Sequence, residues 1–334
     1  MTLRLLKLTL GTTTAGIFAF GTILALAGSH SSSVYGPFPV TVKGYSGDKT
    51  NSVSYSGQIA RHLLHNGLKK SIASGASLEQ SMTYFKGSKD PIRVLDPVSS
   101  GKFVIDQASY FADINTVSSG KNLNGKSYKG LISGWPGGMT GVEVLEFMIN
   151  KGAGSPKGYD SVNGYDYSQL VSKFAMGAVF YNQACDNYLD EKLAADNKPN
   201  NKPYKKGAYY SGKEHSWDEA FGYWGAAAHT MTLSAKEIYD VAKKKNMAVA
   251  DFDKSGKVDR IKEMTYAHAY YASSYDKGGK TNYLKTVTKA FIDGRKLISS
   301  ADSNTLTDAQ RNMLIGYANT ICGNWEKVIA ESVF

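Results

Sequence analysis

The sequence predicts an all-α protein. Apolar residues recur at i, i+3, i+4 and i+7 in several long segments. No run of alternating apolar and polar residues is long enough to read as a strand, and stretches rich in Gly, Pro, Ser and Asn separate the periodic segments. With 334 residues and 42% hydrophobic content the chain can bury a core, which excludes wholesale disorder.

The first segment carries an address. Arg4 and Lys7 precede an acid-free run, residues 8–28, that ends in Ala25, Leu26 and Ala27. This is the charged, apolar, then small-x-small pattern of a secretory signal peptide; an uncleaved anchor is the other reading. Thr12, Thr13, Thr14 and several glycines dilute the run and favour cleavage. Residues 1–27 are therefore expected to be a signal peptide, 28–53 an extended N-terminal arm with Pro37 and Pro39, and 54–334 one helical domain. The expected location is the periplasm, cell surface or exterior of a bacterium, with no transmembrane segment once the leader is gone. Losing Arg4 and Lys7 takes the formal charge from +10 to +8. The lysines are scattered, so export and charge together point to anionic glycans or other envelope components, and away from nucleic acid. Cys185 and Cys322 could form one disulfide in an exported chain, or be two buried thiols.

The helices follow in order. Ile59, Leu63, Leu64 and Leu68 mark the first, with Ser56 as its expected N-cap and with His62 and His65 at i, i+3 as a metal pair or two half-exposed surface residues. A short helix is expected at 78–85 and another within 105–114. Residues 139–150 place Val142, Leu145, Met148 and Ile149 on one face, with Glu143 and Glu146 at i, i+3 on another. The longest helix is expected over 168–195, burying Leu170, Phe174, Val179, Tyr181, Ala184, Cys185, Tyr188 and Leu189. Residues 214–246 read as one helix. Trp217, Phe221 and Trp224 form its apolar stripe, and His215, Asp218 and Glu219 form a polar flank. Helices over 261–273, 283–298 and 307–332 complete the set, the last opened by a Thr307 and Gln310 capping box.

The sharpest local motif is Asp-Phe-Asp-Lys-Ser-Gly-Lys-Val-Asp-Arg-Ile-Lys-Glu at 251–263. It matches an EF-hand-like calcium loop. Asp251, Asp253 and Ser255 stand at positions 1, 3 and 5, Gly256 makes the turn at position 6, the Lys257 carbonyl serves position 7 and Asp259 holds position 9. Position 12 is Lys262 where a bidentate glutamate is usual; Glu263 is one residue late and serves only if the loop shifts. An Asp-Ser-Gly linker is the plainer reading.

Two resemblances follow from these segments. Residues 141–149, Gly-Val-Glu-Val-Leu-Glu-Phe-Met-Ile, resemble the Gly-x-His-x-x-Glu helix motif of the imelysin family of exported helical proteins, some associated with iron uptake; Glu143 takes the histidine's place and Glu146 matches the glutamate. The chain is more closely similar to an uncharacterised imelysin-like family of secreted and lipid-anchored bacterial proteins. That similarity is carried by Ser54-Tyr55-Ser56-Gly57-Gln58 with Arg61, by Trp217-Asp218-Glu219-Ala220-Phe221-Gly222-Tyr223, by the Asp251 loop, and by Phe291-Ile292-Asp293-Gly294-Arg295. It implies an imelysin-like helical bundle with long irregular loops. No cysteine stands near Ala27 to carry a lipid.

Function is expected to be non-catalytic metal binding. A zinc peptidase needs three ligands and a base, yet no His-Glu-x-x-His occurs, and no Gly-x-Ser-x-Gly elbow supports a serine hydrolase. Carboxylate-rich sets suit hard ions. Two sites are expected: calcium at the Asp251 loop, and iron or another divalent or trivalent metal at a bundle site of Glu143, Glu146, His215, Asp218 and Glu219 if the two helices face each other. The alternative is a structural or adhesive envelope protein stiffened by calcium.

Overall fold

The computed structural model describes residues 33–97, 104–106, 112–194 and 198–333. The leader of 1–27 lies outside these residues.

Helix α1 (Ser56–Ala73) is the centre of the fold, packed against α2 (Leu78–Lys86), α3 (Gly141–Ala153), α4 (Tyr167–Ala175) and α6 (Gly212–Trp224). Twelve of its 18 residues are buried, including Arg61, His62 and His65, so it is a core helix and not a surface one. Each polar side chain has its own acceptor, which is what lets such residues sit inside. Arg61 donates through Nε to Asn122 O and through Nη1 to Gly57 O. The ring Nε2 of His62 donates to Gly222 O at 2.9 Å and that of His65 to Ser172 O at 3.0 Å. The two histidines are therefore not a ligand pair. The N-cap of α1 is Tyr55, with Ser56 as the first helical residue.

Helix α4 runs into a wide-turned π-helical stretch, Met176–Glu191, and a last turn α5 (Lys192–Ala194). Wider turns move the buried stripe off the 3.6-residue period. Within the stretch Phe180 and Gln183 are buried and Tyr181 is only half-buried; ahead of it, on the regular turns of α4, Val171 and Ala175 are buried while Leu170 is exposed and Phe174 half-buried. Helices α9 (Tyr283–Ser300) and α10 (Asp308–Val333) pack on each other, and α6 packs against both the π stretch and α9. The α10 capping box forms: Thr307 N donates to Gln310 Oε1 at 2.9 Å, and Gln310 N to Thr307 Oγ1 at 3.2 Å. Cys185 and Cys322 are joined as a disulfide that ties the π stretch to α10.

The structure departs from the expected helices in three places. Residues 214–246 are not one helix: Gly225 at φ +79° ends α6 in a left-handed cap, and α7 (Ala235–Ala242) restarts from its own Ser234 and Glu237 capping box. Residues 261–266 belong to loop and turn, so α8 (Ala267–Asp276) starts later than expected. Part of 105–114 is strand: β1 (Val104–Asp106) pairs in parallel with β4 (Lys257–Asp259), Ile105 opposite Val258. Strands β2 (Tyr159–Asp160) and β3 (Tyr165–Asp166) form a small hairpin. The segment from residue 33 to 53 is laid against the body, with Tyr35, Phe38 and Val42 buried. No helix among the described residues is long and apolar enough to cross a membrane.

Candidate metal centre

The 251–263 loop folds around its acidic side chains. Asp251 opens it: its Oδ1 accepts from Ser255 N at 2.9 Å and its Oδ2 from Gly256 N at 2.9 Å, so the carboxylate sits inside the turn it organises. Asp253 Oδ1 also accepts from Ser255 N, at 3.0 Å. Gly256 takes φ +80°, which a side chain would resist. The Ser255 hydroxyl donates to the Lys257 carbonyl at 3.2 Å, holding that oxygen beside the loop interior while the lysine side chain is exposed.

After β4 the chain makes a helical turn, Glu263 N donating to Asp259 O at 2.8 Å, which swings Glu263 back over the loop. Its Oε1 accepts from Phe252 N (2.8 Å) and Asp253 N (3.2 Å), and its Oε2 from Asp259 N at 2.7 Å. One oxygen each from Asp251, Asp253 and Glu263 lies within 4.8 Å of the others, and among the described residues this is the group of three or more acidic, histidine or cysteine side chains that converges so. At position 12 Lys262 uses its carbonyl to accept from Ala228 N at 2.6 Å, and it is Glu263 that turns toward Asp251 and Asp253. Asp259 is outside the triad and accepts from Ile261 N through Oδ1. Burial pushes the Glu263 carboxyl above the usual range against its three amide donors, whereas the Ser255 hydroxyl, then its amide, holds exposed Asp253 below it. Three carboxylates, the Ser255 hydroxyl and a backbone carbonyl are the hard oxygen donors that calcium takes.

Val258, inside the loop and paired to β1, is fully buried, so the loop is anchored to the core at its middle. Beside it opens a cleft of about 450 Å³ lined by Asp253, Glu263, Tyr55, Tyr209, His229 and Phe252, among others.

The five residues of the expected bundle site are not brought together. Glu143 is exposed and closes a capping box, its Oε2 accepting from Thr140 N at 2.7 Å, and this holds its carboxyl low. Glu146 pairs with Lys86 at 2.9 Å. On α6 the flank divides in two, because side chains four apart share a face and adjacent ones do not. His215 lies 3.7 Å from Glu219 and stacks on Tyr210. Glu219 also accepts from Gln58 Nε2 at 2.7 Å. Burial opposes its ionisation, but His215, Tyr188 and Gln58 outweigh it and hold the carboxyl below the usual range.

Asp218 turns the other way, with Glu214, to meet Arg295 of α9. Arg295 donates through Nε to Asp218 Oδ1 at 2.9 Å and through Nη1 to Glu214 Oε1 at 2.9 Å. Tyr35 Oη (2.6 Å) and Ser54 N (3.2 Å) complete the donors to Asp218, and Arg295 Nη2 donates to Ser52 Oγ. Arg295, Asp218 and Glu214 are fully buried. This is a structural knot joining α6, α9 and the N-terminal segment, with no side open to a ligand. Glu214 and Arg295 escape a search for ligand sets. The readable signal is an arginine on the apolar stripe of Leu284, Val287, Phe291 and Ile298, a place that requires a buried partner.

A family model described as a domain of unknown function, DUF4856, matches residues 147–316. No curated protein and no solved structure matches the chain. The matched span is half of the chain and holds α6, the 251–263 loop, α8 and α9. The chain belongs to this family of unknown function.

Proposed function

We propose that the protein is an exported, non-catalytic calcium-binding protein in which the ion locks the 251–263 loop. The observation that carries this reading is the convergence of Asp251, Asp253 and Glu263 to within 4.8 Å. The placement of Glu263 answers the departure at position 12 by offering a carboxylate from the following residue. A structural use of the ion is favoured over transport, because β4 lies within the loop and pairs with β1 some 150 residues earlier in the chain. Clamping the loop would therefore clamp that distant segment too. Export is supported by the charged and apolar leader, and an imelysin-like relationship, with any link to iron, by the sequence blocks alone.

Calcium should raise the melting temperature of the mature protein, and a hundredfold excess over Kd corresponds to about 2.7 kcal/mol. Asp251→Ala with Asp253→Ala should lose that increment, and Glu263→Gln should weaken it. Elemental analysis of the purified protein should find calcium without stoichiometric iron. If the double variant melts below the wild type by the same amount with calcium as with chelator, the assignment is overturned.

A further inference from the structure

A second feature borders the later turns of α1. A cavity of about 300 Å³ opens between α1, the end of α7 and the start of α8, bordered by His65, Asn66, Lys69, Lys70, Lys243 and Lys244, with tyrosines 266, 270 and 271 on its α8 side. Four lysines meet one carboxylate there. Asp96 pairs with Lys70 at 3.3 Å and with Lys244. Lys69 and Lys243 form no salt bridge with a described carboxylate; Lys243 instead meets the Tyr270 hydroxyl, which raises its ammonium, and lies over the Tyr239 and Tyr270 rings. Burial, and after it the charge of Lys243, lowers the Lys69 ammonium, and burial and Lys69 bring nearby Lys173 down to about 8. Cations crowded this way repel unless an anion sits among them.

Two other groups face the same space. Helix α8 begins there, with Tyr266 at its N-cap giving no side-chain cap and no acid in its first turn, so its amide dipoles are uncompensated. Ala267, at that start, is held at φ +44°, an unusual conformation for a residue with a side chain. His65 is 3% exposed, and its Nδ1 makes no hydrogen bond of good geometry, the Asn66 side chain being its polar neighbour. Because Nε2 donates to a carbonyl, Nδ1 carries the lone pair, and burial keeps the ring neutral with its pKa lowered to about 4. The cavity thus offers cations, a helix N-terminus and one buried acceptor. A ligand that matches has negative oxygens and a hydroxyl to donate.

We propose that this cavity binds a small phosphate ester bearing a hydroxyl group, the phosphate lying between Lys69 and Lys243 at the N-terminus of α8 and a hydroxyl reaching His65. The same chemistry occurs in soluble polyol phosphates and in the headgroups of glycerophospholipids. None of the loop residues 251–263 borders the cavity, and its link to that loop is Tyr266, whose hydroxyl donates to Arg260 O at 2.9 Å.

The test is calorimetric titration of the mature protein, in chelator and at constant ionic strength, with glycerol 3-phosphate and with inorganic phosphate, alongside sedimentation with phosphatidylglycerol vesicles. Saturable one-to-one binding of glycerol 3-phosphate is expected, tighter than inorganic phosphate. Lys69→Gln with Lys243→Gln should weaken it at least about tenfold, ~1.4 kcal/mol. The exposed pair Lys49→Gln with Lys89→Gln removes equal charge elsewhere and should change nothing. Vesicle capture lost in the Lys69 and Lys243 variant would place the phosphate on a lipid headgroup, and capture of the soluble ester alone would place it on a free molecule; both support the site. Equal weakening by the two double variants, or no saturable binding to ester, phosphate or vesicle, overturns it. The melting temperature without ligand should not fall in the cavity variant, which separates lost binding from lost folding.

Discussion

Arg295 and Gly294 show how much of the fold rests on two adjacent positions of α9. An Arg295→Met variant leaves Asp218 and Glu214 buried without their cation, and removing one member of a buried ion pair costs about 3–5 kcal/mol. Urea denaturation of Arg295→Met should show that loss. Replacing Arg295, Asp218 and Glu214 together by apolar residues should recover a large part of it, because the stranded charges are then gone. Recovery of nothing would mean that the network holds more than charge. Next to Arg295, a Cβ on Gly294 would stand 2.1 Å from the Trp217 ring. That ring is pinned, its Nε1 donating to Phe291 O at 2.8 Å, so there is no room to yield. Both residues sit in the Phe-Ile-Asp-Gly-Arg block that marks the resemblance to the uncharacterised family. Another such block supplies Asp218 and Trp217, and a third supplies Ser54 and Gln58. These three sequence blocks are therefore parts of one packed region.

At the scale of elements, the amphipathic pattern located most helices but mistook their surroundings. Helix α1 was legible as a helix from Ile59, Leu63, Leu64 and Leu68, yet Arg61, His62 and His65 pointed to a solvent face. What buries them is the set of carbonyls on neighbouring segments, Asn122, Gly222 and Ser172, far away in sequence. The π-helical stretch shifted its buried stripe because its turns are wider than the period used to read it. Cys185 and Cys322 left two readings open, and only the approach of α10 to that stretch decided for the disulfide. Its bridge spans 137 residues, and Cys185→Ser with Cys322→Ser should cost about 2–5 kcal/mol by constraining the unfolded chain less. Unfolding of the oxidised and reduced protein gives the same difference if the bridge, and not the serines, is responsible.

The whole molecule carries a pH dependence built from its buried histidines. Burial lowers His62 and His268 to about 3 and His65 to about 4, and His215 and His229 shift in the same direction. The unfolded chain takes up these protons near pH 6.5. Above that value both states are neutral and stability is complete. As pH falls the unfolded state binds protons that the fold refuses, so stability drops by roughly 1.4 kcal/mol per pH unit for each such histidine. Urea midpoints measured from about pH 7 to about pH 4.5 should fall steadily, and His268→Phe, which keeps a ring against Trp325, should flatten the slope. A midpoint independent of pH over that window would contradict the buried neutral rings.

The sequence by itself determined that the chain is helical, that a capping box opens the last helix, and that residues 251–263 have the spacing of an oxygen-ligand loop. All of these depend on residues close together along the chain, where period, cap and turn are local properties. Which carboxylates meet was decided only by the tertiary structure. Glu263 reaches Asp251 and Asp253 through a turn after β4, Asp218 turns to Arg295, and Glu143 and Glu146 stay apart from both. A side chain's partner depends on the direction in which its helix packs, and that direction is set by contacts between distant elements.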